Sequence, residues 1–147
     1  RLKWLNRLAF KPFNRRIKEI RTENDWLSTK REEVDKYCAD PYSGFSVSNQ
    51  VIYSTLHEML VTSSPKEIKK MNADLPVLLI SGKEDAFGDY GKGIRRLGVM
   101  LKKNGVKHIT VQLYRNKRHE ILFEDDYVHT WNNMYDWIKK NILNKYK

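Results

Sequence analysis

The chain has 147 residues and a net charge of +10, from 28 Lys and Arg against 18 Asp and Glu. Apolar side chains make up 40% and aromatics 12%, enough for a core, which excludes a disordered acidic or basic tail. No apolar run approaches the ~20 residues of a membrane-spanning helix, and no signal-peptide pattern is visible. The length suits one ordinary domain. One cysteine, Cys38, excludes an intramolecular disulfide and points to a reducing cytoplasm.

Taken in order, residues 1 to 20 suggest a helix interrupted at Pro12, where a backbone donor is lost. Much of the basic excess lies here: Arg1, Lys3, Arg7, Lys11, Arg15, Arg16, Lys18 and Arg21 face only Glu19 and interleave with Trp4, Leu5, Leu8, Phe10 and Phe13. That pattern reads first as a solvated helix whose Lys and Arg stems cover an apolar face, and second as a peripheral membrane surface meeting anionic headgroups. No nucleic-acid partner is expected, because no recognised module, zinc ligand set or aromatic RNA-binding signature accompanies the charge.

Ser28 reads as the N-cap of a short helix carrying Glu32, Glu33 and Lys36 and stopped at Asp40-Pro41. A second helix is predicted from Ser48 to Val61, with Val51, Ile52, Thr55, Leu56 and Met59 as its apolar stripe. Ser64-Pro65 starts a short turn through Met71. The first seventy residues thus hold helices and no strand signal.

Val77 to Ile80 is an unbroken apolar run, as in a parallel strand covered on both faces. Asp85 follows in a polar loop, where open α/β sheets place ligands and catalytic groups. Asp89 can cap the next helix, whose Tyr90, Ile94, Leu97 and Leu101 recur at helical spacing up to Asn104-Gly105. A second strand runs from His108 to Leu113, His119 comes soon after it, and a last helix spans about Glu124 to Asn144. Val128, Trp131, Tyr135, Ile138 and Ile142 form its predicted buried face, and Lys139, Lys140, Lys145 and Lys147 suit the negative end of its dipole.

No metal site or cofactor is expected. His119-Glu120 and His57-Glu58 begin a His-Glu-x-x-His pattern, but Phe123 and Val61 stand where the second histidine belongs. Gly91-Lys92-Gly93 lacks the third glycine of a dinucleotide fingerprint. His57 and His108 are read as structural.

Asp85 within SGKEDAFGDYGKG and His119 within RHEIL, each after its own strand, resemble the acid and base ends of a serine α/β-hydrolase of the monoacylglycerol lipase and lysophospholipase type. In that fold the triad runs Ser, then Asp or Glu, then His. DWLS at 25 to 28 and ADPYSGF at 39 to 45 are similar to the helical cap of these enzymes. The resemblance implies a cap over residues 1–70, the C-terminal part of an α/β core over 71–147, and hydrolysis of a lipid ester substrate with Asp85 orienting His119.

Glu84 and Asp89 compete with Asp85, and the family pattern favours Asp85. Trp26, Phe45 and Tyr53 are candidates for lining the acyl pocket, with a place in the cap's own core as the equal alternative.

A Gly-x-Ser-x-Gly elbow is missing: Gly44-Phe45-Ser46-Val47-Ser48 lacks the second glycine and follows no strand. Such an enzyme should need about 200 to 250 residues, so a C-terminal fragment is expected. A non-catalytic basic module binding an anionic membrane or nucleic acid through residues 1 to 21, and a pseudoenzyme on the same fold, are the rival readings. Two strands alone are marginal in water, so the remainder of the hydrolase, or a homo-oligomer, is expected to cover the open sheet edge.

Overall fold

The computed structural model describes residues 11–45 and 47–145. The basic and aromatic positions from Arg1 to Phe10, Ser46 and Lys147 lie outside these residues. In chain order there are three helices, α1 (Arg31–Ala39), α2 (Asn49–Thr62) and α3 (Pro65–Ile68), then β1 (Val77–Gly82), α4 (Lys92–Lys103), β2 (Ile109–Tyr114) and α5 (Tyr127–Asn141). Short 3-10 turns occupy Lys11–Asn14, Asp25–Leu27 and Leu143–Lys145.

Of the helix predicted over residues 1 to 20, the part before Lys11 lies outside the described residues; the described part is the first of those turns, with irregular chain after it. Ser28 does not cap α1. The helix begins at Arg31, and the Ser28 hydroxyl accepts only from Lys30 N while itself donating to Glu124. The other two caps follow the serines as predicted: Ser48 accepts from Val51 N and Ser64 from Glu67 N, with Pro65 in the first turn of α3. Helix α1 ends at Asp40, ahead of Pro41.

β1 and β2 pair in parallel, Val77 opposite Ile109 through Gly82 opposite Tyr114, with α4 as the crossover. Ile68, Leu101 and Val106 form a buried cluster, and Val77, Leu79, Leu97, Met100 and Ile109 pack on it from the sheet and from α4. Helix α4 starts after Gly91, at φ +80°, instead of at Asp89. Asp89 and Tyr90 are themselves left-handed, so Asp89 cannot aim its carboxylate at the first turn and pairs with Arg96. Asn104 and Gly105, at φ +107°, close α4 as the sequence indicated.

Two predicted faces are exposed. Val128, Trp131, Tyr135, Ile138 and Ile142 of α5 point to solvent, and the helix meets the sheet side through Thr130, Asn133 and Trp137 instead. Trp137 Nε1 donates to Thr110 Oγ1 at 2.8 Å. Helical periodicity finds an apolar stripe but does not say which neighbour covers it. Likewise α2 has no buried residue, and Val51, Leu56 and Met59 of its stripe are exposed. In β1 only Ser81 and Gly82 are buried; Val77 to Ile80 are half-buried, because the described sheet has two strands and leaves each with one open edge. Among the described residues no helix is long and apolar enough to cross a membrane.

Candidate active site

The parallel pairing brings the carboxyl ends of β1 and β2 side by side, and the loops that leave them meet. After β1 the chain turns sharply: Asp85 N donates to Gly82 O, and Tyr90 N donates to Asp85 O at 2.8 Å. This turn buries the Asp85 side chain to 5% exposure. Its Oδ1 accepts Phe87 N at 2.9 Å, and Ser81 Oγ lies 3.4 Å from Oδ2. The other loop delivers His119, whose Nδ1 stands 3.2 Å from Asp85 Oδ2.

Burial by itself would raise the Asp85 carboxyl. The hydrogen bond from His119, the imidazolium charge and the backbone N–H groups of Gly88 and Phe87 outweigh it and hold the group below its ordinary value. His119 moves the other way. Its bond to Asp85 raises it against the opposing effect of burial, and the charges of Asp85 and Glu120 add to the rise. Glu120 is lifted by burial first, against the attraction of His119, with Glu33 and Glu124 adding repulsion. An ionised Asp85 is acceptor-only, so Nδ1 carries the proton toward it and Nε2 is left for proton exchange with a substrate.

These shifts set a pH dependence. The raised His119 contributes stability that is complete below the ordinary imidazole value of 6.5 and is lost as pH rises through its folded value. The lowered Asp85 contributes stability present above 3.8 and lost as pH falls through its folded value. The pair therefore stabilises most between 3.8 and 6.5. Chemical denaturation over a pH series should show stability declining on the alkaline side of the His119 titration, and Asp85→Asn should remove that decline. An unchanged slope in the variant would contradict the assignment.

Aromatic rings surround the imidazole. The Trp26 ring centroid is 5.0 Å from that of His119 and the Phe87 ring is 5.4 Å away, and Phe13 packs on both Trp26 and Phe87 at 5.0 and 5.7 Å. Of the residues singled out in the sequence, the structure thus brings together Asp85, His119 and Trp26. Phe45 is 65% exposed. Tyr53, also exposed, stacks on His57 at 6.0 Å in α2. Asp89 is turned toward Arg96, while Glu84 is exposed and uses its backbone N–H on Lys117 O.

The sequence reading passed over Phe87, Arg118 and Glu124. Phe87 was hidden as one more loop residue. Glu124 reads in sequence as a helix start, although a carboxylate ending the apolar run Ile121-Leu122-Phe123 is the type of residue that needs partners when buried. Among the described residues no group of three or more His, Cys, Asp or Glu could hold a metal ion.

A parallel βαβ unit with an Asp after one strand and a paired His after the next is the C-terminal arrangement of an α/β-hydrolase. A highly thermostable carboxyl esterase from Bacillus coagulans, solved with glycerol, superposes with a TM-score of 0.85 at 24% identity, over 97% of this chain and 46% of its own. A lipase in its open form superposes with a TM-score of 0.71 at 21% identity, over 91% of this chain and 43% of its own. The chain thus spans less than half the length of either structure. No curated protein matches it significantly. The pattern of the family described as Serine aminopeptidase, S33 matches residues 1–126, and the chain belongs to that family of α/β-hydrolases.

Proposed function

We propose that this chain is the acid- and base-bearing portion of a serine hydrolase that cleaves carboxylic esters of lipids, of monoacylglycerol or lysophospholipid type, with a nucleophile supplied from outside these residues. The observation that carries the reading is the 3.2 Å contact of His119 Nδ1 with the buried Asp85 at the carboxyl ends of two parallel strands. As a serine oxygen attacks the ester carbonyl, its proton passes to His119 Nε2, and Asp85 balances the imidazolium. His119 then returns the proton to the departing alcohol, and water repeats the cycle on the acyl-serine. No cofactor takes part.

Trp26 beside His119 suits the acyl pocket, and Phe45 and Tyr53 belong to a helical cap ending near residue 70. The open edge of β1 and the exposed Val128, Trp131 and Tyr135 favour coverage by the remainder of the hydrolase, a homo-oligomer being the other partner that would bury them. The exposed apolar side chains of α2, with Lys66, Lys69 and Lys70 just beyond, favour contact with an anionic membrane surface. Cys38, free and exposed, suits a cytoplasmic setting.

The test is ester turnover by the chain alone and by the chain combined with a serine-bearing portion of its hydrolase. Hydrolysis is expected only from the combination, with lipid monoesters preferred over aminoacyl anilides, and it should vanish with His119→Ala. Turnover by the chain alone that disappears with His119→Ala would overturn the reading, as would a preference for the anilide.

A further inference from the structure

The carboxylate of Glu124 is 1% exposed and lies where two segments far apart in sequence meet. From residues 28 and 29 it receives Ser28 Oγ at 3.0 Å, Thr29 N at 3.1 Å and the Thr29 hydroxyl. From the loop after β2 it receives Arg118 N at 2.9 Å. Two of these donors are backbone N–H groups that can only donate, and the other two are hydroxyls, so the carboxylate serves as acceptor for all four.

The same two segments are joined around His119. On one side of it in sequence, the Arg118 guanidinium donates to Asp25 O at 2.7 Å and to Ser28 O at 2.8 Å. On the other side, Glu120 N donates to Leu27 O at 2.8 Å. His119 is therefore pinned at both neighbours to residues 25–28, and Trp26 from that segment lies against its ring. Glu124, which belongs to neither segment, bonds to both at once, through Ser28 and Thr29 and through Arg118.

We propose that Glu124 is a positioning residue for His119: it clamps the strap formed by residues 25–29 onto the loop 117–120, and so fixes the imidazole at hydrogen-bonding distance from Asp85. The proposal rests on reading Asp85 and His119 as the acid and base of the site. A site residue must be held within about 0.5 Å of its working geometry by such supports. Without the carboxylate the Arg118 and Thr29 N–H groups lose a shared acceptor at a part-buried site. A glutamine could keep both N–H bonds on its carbonyl oxygen and turn its NH₂ to the Ser28 and Thr29 hydroxyls, which can accept, so the variant that breaks the clamp is Glu124→Leu, which removes every acceptor.

The test is an NMR titration of His119 in the histidine-labelled full chain, read beside the amide shifts of β1 and β2. The charged groups acting on His119 are Asp85 and Glu120, and both are left in place by the variant. Glu124→Leu should move the His119 midpoint down toward the value that Asp85→Asn produces, while the strand amides stay where they are. If Asp85→Asn lowers the midpoint and Glu124→Leu does not, the clamp is refuted and the acid–base pair stands. If Asp85→Asn itself leaves the midpoint unmoved, the pair fails, and the proposal with it. Should Glu124→Leu not fold, Thr29→Val removes one donor and leaves the carboxylate; it must shift the midpoint in the same direction, and an unshifted midpoint refutes the clamp.

Discussion

Asp85→Asn is expected to lower kcat for ester hydrolysis about 10⁴-fold in the hydrolase assembled from this chain and its serine-bearing portion, the loss known for the corresponding carboxylate in a serine protease. The cause is a tautomer. An ionised Asp85 accepts the Nδ1 proton at 3.2 Å and leaves Nε2 free to take the serine proton. An asparagine can offer its NH₂ to Nδ1 and drive the ring proton to Nε2, where it blocks the base. Substrate contacts elsewhere are untouched, so KM should change little. The pH profile gives an independent check. His119 must be neutral to act as base, and its value is raised, so activity in the parent should climb as pH passes through a value above the ordinary 6.5. Undiminished turnover in Asp85→Asn would remove Asp85 from the role and leave Glu84 to be tested.

The meeting of Asp85 with His119 was legible in the sequence because each depends on a local signal with one long-range consequence. Val77 to Ile80 and the stretch up to Leu113 read as strands, Asn104-Gly105 ended the crossover, and parallel pairing then had to bring the next residues of both loops together. Serine caps at 48 and 64 were legible for the same reason, since a cap is settled within four residues. Ser28 looked identical in sequence and was drawn instead to Glu124, 96 residues away. Asp89 failed through backbone conformation: its φ of +50° is imposed by the turn that buries Asp85, and composition does not report it.

The faces of α2 and α5 failed for a different reason. Their apolar stripes are real, but a stripe states only that something apolar should cover it, and in this chain α5 turns Thr130, Asn133 and Trp137 inward. Phe87 and Glu124 could not be ranked from sequence, because what distinguishes them is the segment from residue 13 to 29 folding back over the His119 loop.

Gly82→Ala is expected to destabilise the fold by about 3 kcal/mol and to separate His119 from Asp85, although it adds one methyl group. Gly82 ends β1 in ordinary extended backbone, so the requirement is for space and not for a left-handed φ. The loop after β2 crosses directly over it. A Cβ there would stand 2.1 Å from Lys117 O and 2.2 Å from Arg118 O, both backbone atoms and both next to His119. A flexible side chain could swing aside from such a contact, but these carbonyls are tied down. Lys117 O accepts Glu84 N, while the flanking Arg118 N is held by Glu124 and the buried Lys117 side chain pairs with Asp126. Relief therefore requires lifting the whole loop by an ångström or more, which tears its bonds to residues 25–29 and carries the imidazole with it. Denaturation midpoints of the parent and the variant measure the first effect. The His119 titration measures the second, as a midpoint returning toward its ordinary value. A variant with unchanged stability and an unchanged midpoint would mean that the loop over Gly82 moves freely, and the close packing of the two loops would then not be what holds the acid and base together.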